Sequence, residues 1–191
     1  ALKKLGYDVA FKELIMSDYG VPQNRKRFIL FAIRNGNAKD FFERLEKNKE
    51  NFLKQKELYL KVNVSEAIGD LLQEYGEVQS QDSPKFMNGV YGPAQSSYQR
   101  YMRRNVQGVP IPNSHRFAKP RKETKELFVA LMNASQEAIR ITPKMNLVDG
   151  LKKRGVTPLK SKCICPTITS IPDDFIHYKE PRIMTVRECA R

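Results

Sequence analysis

Two apolar runs separated by a short polar loop constrain the fold of this chain more than any other feature. Residues 7–15 and 28–33 are rich in β-branched, aromatic and other apolar side chains, which predicts two strands. Turn-forming residues 17–22 lead into residues 23–27, Gln-Asn-Arg-Lys-Arg. A short loop between two strands is held stiffly. The pattern therefore predicts a stiff loop that presents two side-chain amides and three cationic side chains close together.

The rest of the chain predicts short elements separated by loops. Asn37 is suited to cap a helix that begins at Ala38, and Ser65 to cap a short helix that continues through Leu72. Residues 47–61 are strongly charged and indicate a solvated helix or a linker. Further helices are predicted over residues 97–105, 122–133 and 186–191, and short strands over residues 164–168 and 181–185.

The charge balance points to a polyanionic partner. The 191 residues include 34 Lys and Arg against 21 Asp and Glu, a net charge of +13. Each phosphate that a basic side chain neutralises releases condensed counterions, so nucleic acid is the first expectation and an acidic membrane surface the second. The membrane alternative is weaker, because no run approaches the roughly 18 apolar residues of a spanning helix.

The cysteines suggest a reducing compartment rather than a disulfide framework. Three of them, at positions 163, 165 and 189, are too few and odd in number for such a framework, which favours a cytoplasmic or nuclear setting. Cys163 and Cys165 together with His177 lack a fourth ligand and the usual two-residue cysteine spacing. The sequence predicts no metal site.

A basic and aromatic run lies in the middle of the chain. Tyr98 and Tyr101 alternate there with Arg100, Arg103 and Arg104. Aromatic and cationic side chains in this mixture suit contact with a DNA backbone. A helix with an exposed, merely solvated basic face fits equally well, and the sequence leaves both interpretations open.

Two segments resemble the cytosine-5 DNA methyltransferase family. Residues 18–28, Asp-Tyr-Gly-Val-Pro-Gln-Asn-Arg-Lys-Arg-Phe, are similar to the family's eighth motif, a Gln-x-Arg-x-Arg sequence followed by a strand. Residues 182–191, Arg-Ile-Met-Thr-Val-Arg-Glu-Cys-Ala-Arg, resemble the ninth motif, in which a helix begins at Arg-Glu-x-Ala-Arg. The basic, loop-rich sequence between them lies where the family places its target recognition domain.

The resemblance implies an α/β fold with two parts. One would be the edge of a doubly wound, S-adenosylmethionine-dependent methyltransferase domain, and the other a small, irregular α+β target recognition domain. Residues 1–36 would supply the last strands of the catalytic domain and residues 37–180 the recognition domain. Residues 181–191 would return into the catalytic domain. A bacterial or phage modification enzyme is the expected setting, with double-stranded DNA as its partner.

The family's chemistry assigns expected roles to the motif residues. A cysteine thiolate attacks carbon 6 of a cytosine that has left the helix, and extrusion costs a few kcal/mol. By resemblance, Arg27 would bond the cytosine O2 edge or the adjacent phosphate, Arg25 would organise nearby carboxylate or phosphate groups, and Gln23 completes the motif. Thr167 and Ile168 would fix a phosphate at the edge of a groove, although a plain core strand is equally consistent.

The ninth-motif residues are expected to organise the domains rather than to touch substrate. Arg182, Arg187, Glu188 and Arg191 would hold the recognition domain against the catalytic domain. The structural alternative, an ordinary set of salt bridges at a helix end, differs little from this.

The sequence lacks the parts that would make it catalytic by itself. The family's Pro-Cys-Gln nucleophile does not occur, since Cys165 precedes Pro166 in the reverse order. The Gly-containing cofactor loop, the Glu-Asn-Val element and the tenth motif are also missing. The chain is therefore expected to be inactive alone and to need the remaining catalytic part, on the same polypeptide or a separate subunit. The competing interpretations are a noncatalytic basic DNA-binding module and a structural subunit that docks an acidic protein.

Overall fold

An antiparallel pair of long strands opens the fold. The computed structural model describes residues 1–169 and 171–191. Strand β1 (Tyr7–Ile15) pairs with β3 (Lys26–Arg34) along its whole length. Between them lies the two-residue strand β2 (Gln23–Asn24). Both predicted strands are confirmed, although β3 begins two residues earlier and ends one residue later than the sequence pattern indicated.

Helix α1 (Lys39–Gln55) covers one face of this strand pair. The rings of Phe31 on β3 and Phe41 on α1 stack with their centroids 4.3 Å apart. The helix begins one residue later than predicted, with Ala38 as its N-cap residue, and the Ala38 amide donates to Asp8 Oδ2 at 2.7 Å. Asn37 still acts at the helix start, since its Oδ1 accepts from the Lys39 amide at 3.1 Å. Residues 47–61 are thus helix as far as Gln55 and loop beyond it.

The opposite face of the strand pair is apolar and exposed. Phe11 and Phe28 are 67% and 64% exposed, and their rings lie 5.4 Å apart. Leu30, directly opposite Phe11 in the register, is 48% exposed. Directly opposed residues of antiparallel strands point to the same side. These three side chains therefore form one surface, called the outer face below.

Helix α2 (Val64–Ile68) is capped by Asn63, so the prediction of Ser65 as its cap is wrong. The Asn63 side chain accepts from the Glu66 amide at 2.9 Å, and the Glu66 carboxylate accepts from the Asn63 amide at 2.9 Å. This reciprocal pair satisfies two amides at the helix start. Ser65 already lies in the first turn. The helix also ends at Ile68, before Leu72.

Short elements make up the remainder. An antiparallel pair, β4 (Glu77–Gln79) with β5 (Met87–Gly89), was not predicted. The predicted strand over 164–168 is reduced to the two-residue strand β7 (Cys165–Pro166). Residues 181–185 contain an isolated bridge from Ile183 to Ile176 instead of the predicted strand. The other elements are the helices α3 (Ser97–Met102), α4 (Lys122–Ala134) and α5 (Val186–Cys189), and the strands β6 (Thr157–Pro158), β7 (Cys165–Pro166) and β8 (Phe175–Ile176).

Two apolar clusters organise these elements. The larger joins α2 to Tyr98 of α3, to Cys165 of β7 and to Met184 just before α5. The smaller joins Leu131 of α4 to the segments around β6 and β8. The larger cluster thereby brings the segment before α5 against α2 and α3. Among the described helices, none is long and apolar enough to cross a membrane.

Candidate nucleic-acid interface

The motif loop, residues 23–27, is hydrogen-bonded to residues 167 and 168, which lie 143 positions further along the chain than their partners. Strand β2 pairs in parallel with β7. Beyond the pairing, the Thr167 hydroxyl donates to the Asn24 carbonyl at 2.9 Å. Arg25 Nη1 donates to the Ile168 carbonyl at 3.3 Å. The structure therefore brings together Arg25, Thr167 and Ile168, three residues that the sequence assigned to substrate contact from separate motifs.

The motif side chains have different surroundings. Arg25 is half-buried, and its Nε is buried without a hydrogen-bond partner among the described residues. Arg27 is also half-buried and donates to the carbonyl of its neighbour Lys26 at 2.9 Å. Gln23 lines a cleft of about 160 Å³ together with Ile168 and residues 188–191. Gln23 and Arg25 thus face the chain interior more than Arg27 does.

A buried ion pair forms the centre of the ninth-motif segment. Arg182 Nη1 and Nη2 donate to the two carboxylate oxygens of Glu188 at 2.8 and 2.7 Å, and Arg182 Nε donates to Glu180 at 2.8 Å. Burial is the largest single influence on Glu188 and raises its pKa, but the hydrogen bonds and charge of Arg182, together with the two neighbouring histidines, hold the pKa below its ordinary value, so the carboxylate stays ionised. A bidentate ion pair of this kind fixes both side chains in one geometry.

The start of α5 connects this pair to the recognition region. The Thr185 hydroxyl accepts from the Glu188 amide at 3.2 Å and lies 2.9 Å from His115 Nδ1, while His115 Nε2 lies 3.0 Å from the Leu71 carbonyl. A carbonyl can only accept, so Nε2 carries the proton and Nδ1 accepts from the hydroxyl. His115 is one of two histidines in the chain, and no sequence pattern marks it as part of a site.

The second histidine lies on the other side of Glu188. His177 Nδ1 accepts from the amides of Lys179 and Glu180 at 3.2 and 3.1 Å, and its Nε2 lies 3.7 Å from Glu188 Oε1. Burial lowers the pKa of His177 to about 3 and that of His115 to about 4, so both are neutral at pH 7. Among residues 1–169 and 171–191, no group of His, Cys, Asp and Glu is placed to hold a metal.

Arg187 and Arg191 also contact the region between the motifs. Arg187 Nε donates to the Asn113 carbonyl at 2.9 Å. Arg191 Nη2 donates to Asp70 Oδ2 at 3.2 Å. The ninth-motif side chains therefore hold two separate segments of the intervening region, one at residue 70 and the other at residues 113–115.

The whole chain, residues 1–191, matches the C-5 cytosine-specific DNA methylase family. The chain belongs to this family. It is 26% identical over 184 residues to the Type II methyltransferase M.MthTI of Methanothermobacter thermautotrophicus, an alignment that covers 91% of this chain and 48% of that protein. A solved structure described as a DNA modification methyltransferase encoded within an E. coli prophage has a TM-score of 0.54 at 18% identity, covering 98% of this chain and 50% of the other. The chain spans about half the length of these relatives.

Two of the three cysteines of this methylase family member are held in the thiol form by burial. Burial raises the pKa of Cys165 to about 12 and that of Cys189 to about 11. The thiolate, not the thiol, is the attacking species, and both groups are protonated at pH 7.

The basic run of this family member is split between the surface and the interior. Arg100 and Arg104 are exposed. Arg103 turns inward, where its Nη1 donates to the Gly92 carbonyl at 2.7 Å and lies 3.6 Å from Asp70 Oδ2. The buried Asp70 carboxylate attracts the Arg103 guanidinium, so this side chain does not share the exposed surface of the other two. Contact of Arg100, Arg103 and Arg104 with DNA stays a prediction.

Proposed function

We propose that this chain is the DNA-recognition part of a DNA (cytosine-5-)-methyltransferase. In the complete enzyme it binds double-stranded DNA at a specific sequence and helps to hold an extruded cytosine for methyl transfer from S-adenosylmethionine. One observation carries the proposal: the β2–β7 pairing places the motif loop beside residues 167–168, so the two segments assigned to DNA contact form one continuous surface.

A stiff loop with two guanidinium groups suits base extrusion. Removing a cytosine from the stack costs a few kcal/mol, which contacts to the flanking phosphates and the extruded base offset. Arg27 is half-buried at the second position of β3 and is proposed to contact the base edge or the neighbouring phosphate. Arg25 is proposed to organise a carboxylate or phosphate, since its buried Nε has no partner within the described chain and an unpaired buried donor is costly.

The methyl donor is proposed to be held by the remaining catalytic part. In doubly wound domains a cofactor binds in the crevice at the carboxyl ends of several parallel strands. Every sheet formed by residues 1–169 and 171–191 has two strands, so the described chain does not form such a crevice. The residues present therefore do not fit S-adenosylmethionine, and its contribution, an electrophilic methyl group, comes from outside this chain.

The outer face is proposed as the surface that meets this remaining part. Phe11, Phe28 and Leu30 are exposed on a two-stranded sheet that α1 covers on one side only. A two-stranded sheet is marginally stable without packing on an apolar face. The division of the chain into residues 1–36, 37–180 and 181–191 is part of the proposal. The first and last segments would belong to the doubly wound catalytic domain.

Bisulfite sequencing of DNA from cells that express the full-length protein tests the proposed function directly. We expect methylated cytosines in one defined sequence context and none when Arg27 is replaced by Ala. The absence of any methylated context would overturn the enzymatic assignment and favour a noncatalytic DNA-binding module.

Base extrusion requires a separate binding measurement. Once the sequence context is known, the full-length protein should bind a duplex more tightly when the target cytosine faces an abasic site, because extrusion then costs less. Equal affinity for the abasic and the fully paired duplex would contradict base extrusion. A duplex with the abasic site moved outside the recognised sequence is the matched control.

A further inference from the structure

Asp70 is fully buried where three segments of the chain meet. Its Oδ2 accepts from Arg191 Nη2 at 3.2 Å and lies 3.6 Å from Arg103 Nη1. Its main-chain carbonyl accepts from the Gly92 amide at 2.9 Å. The Asp70 carboxylate thus contacts two guanidinium groups, that of Arg103 just after α3 and that of Arg191 just after α5. Because a buried carboxylate cannot be left without partners, the positions of these two arginines are linked.

Aromatic contacts restrict the same two arginines further. The Arg103 guanidinium lies 4.2 Å from the centre of the Tyr91 ring, and the Arg191 guanidinium lies 5.8 Å from it. The Tyr98 hydroxyl of α3 donates to the Arg191 carbonyl. Helix α3 is therefore fastened to Arg191 both directly and through Asp70.

These contacts matter because α3 has only six residues. A helix of this length is not stable in isolation and takes its position from contacts at its ends. At its start, the Ser96 hydroxyl donates to the Glu66 carbonyl of α2 at 2.6 Å, and Gln99 Nε2 donates to the Ser65 carbonyl at 3.1 Å. At its end, Arg103 and Asp70 supply the attachment. Arg100 and Arg104 are held locally, by the carbonyls of Gln95 and Tyr101. Their position relative to the rest of the chain follows that of α3, which both attachments set.

We infer that Asp70 is a positioning residue for DNA binding. Through Arg103 it sets where Arg100 and Arg104 lie relative to α5, the helix of the ninth motif. Asp70 itself contacts no DNA, and Arg103 acts from the interior rather than on a phosphate. The inference rests on the proposed DNA binding. It adds that Arg100 and Arg104 contact DNA, whereas Arg103 holds α3 in position.

The salt dependence of DNA affinity separates a positioning role from a direct contact. Each phosphate contact contributes about −0.9 to the slope of log K against log salt concentration. In the full-length protein, Arg104→Gln should make that slope shallower by about this amount. Arg103→Gln should weaken binding by a factor of about ten, a typical strength of coupling between sites, and leave the slope unchanged. Arg44→Gln, which removes an exposed arginine from α1, is the matched control and should change neither quantity.

A second variant tests Asp70 without removing a cation. Asp70→Asn should weaken binding as Arg103→Gln does, without a shallower slope. If Asp70→Asn does not fold, as judged by its thermal unfolding transition, Arg103→Gln decides the question alone. A slope change for Arg103→Gln equal to that of Arg104→Gln would overturn the inference, as would an affinity within twofold of the unmodified protein. Failure of the unmodified protein to bind DNA at all would instead overturn the proposed function.

Discussion

Both carboxylate oxygens of Glu188 are bound by the Arg182 guanidinium, at 2.8 and 2.7 Å, in a site where the two side chains are 0% and 4% exposed. Removing one partner of such a pair leaves a buried charge without compensation, which typically costs about 3–5 kcal/mol. Glu188→Gln should therefore lower the free energy of unfolding by about that amount in a urea titration.

An exposed ion pair provides the comparison for Glu188. Lys26 and Glu13 lie 3.0 Å apart across β1 and β3, with side chains 67% and 59% exposed. Glu13→Gln removes the same chemical group from solvent-screened surroundings, so it should change the free energy of unfolding by less than about 1 kcal/mol. Equal effects of the two substitutions would contradict a special role for the buried pair.

The buried histidines should make stability depend on pH below 6.5. Burial lowers the pKa of His115 from 6.5 to about 4, so between these values the unfolded chain binds more protons than the folded chain. Stability is fully present above pH 6.5 and is lost as the pH falls. For His115 alone the difference corresponds to about 3 kcal/mol at pH 4. His177, with a pKa lowered to about 3, adds to the loss.

Other buried groups also change the stability in this pH range, so the measurement compares the unmodified protein with His115→Gln. Burial raises the pKa of Asp70, which favours the folded chain as the pH falls and opposes the histidines. Urea unfolding of the unmodified protein and of His115→Gln at pH 7 and pH 4.5 isolates the His115 contribution. The unmodified protein should lose more stability between the two pH values. Identical losses in the two proteins would argue against the neutral, buried state of His115.

Arg27 should matter more for methyl transfer than for DNA affinity. In the full-length protein, Arg27→Ala is expected to lower the methylation rate by at least about 100-fold while DNA affinity falls by less than about tenfold, because the contact acts on the extruded base. Arg27→Lys should restore only part of the rate, since an ammonium lacks the planar donor fork of a guanidinium. An unchanged rate for Arg27→Ala would remove Arg27 from the proposed site.

Arg100 is expected to contact phosphate rather than bases. Arg100→Gln should weaken binding to all duplexes alike and make the salt slope shallower by about 0.9. Competition binding with matched and unmatched duplexes at several salt concentrations measures both effects. Loss of preference for the matched duplex, with total affinity retained, would show instead that Arg100 reads bases.

Local features of the fold could be predicted from the sequence, and contacts between distant segments could not. Strands β1 and β3 follow from segments rich in apolar and β-branched residues with turn residues between them, and α4 from its apolar periodicity. The cap of α2 was wrongly predicted because Ser65 and Asn63 are both good capping residues, and the partner Glu66 decides between them.

The candidate site shows the same limit. The motif residues could be named from sequence, but the β2–β7 pairing that joins them to Thr167 depends on chain segments far apart. Arg103 could not be told from Arg100 and Arg104, because its inward direction is set by Asp70, which lies in another segment and is buried for reasons of packing. His115 carries no local pattern that distinguishes it from a surface histidine.

The β2–β7 pairing also bears on how this chain can diverge. Residues 23–24 and 165–166 are hydrogen-bonded neighbours, so the 140 positions from residue 25 to residue 164 form a closed segment. Further attachments divide this segment: β3 pairs with β1, and Asp70, Asn113 and His115 are bonded to residues of the ninth motif. Lengthening a loop between two such attachments is inexpensive, because each doubling of a closed segment costs only about 0.6 kcal/mol of chain entropy. Loops between the attachments can therefore be inserted, deleted or exchanged while the β2–β7 pairing stays in register. A lineage could in this way acquire a new DNA preference and keep the geometry of its motif loop.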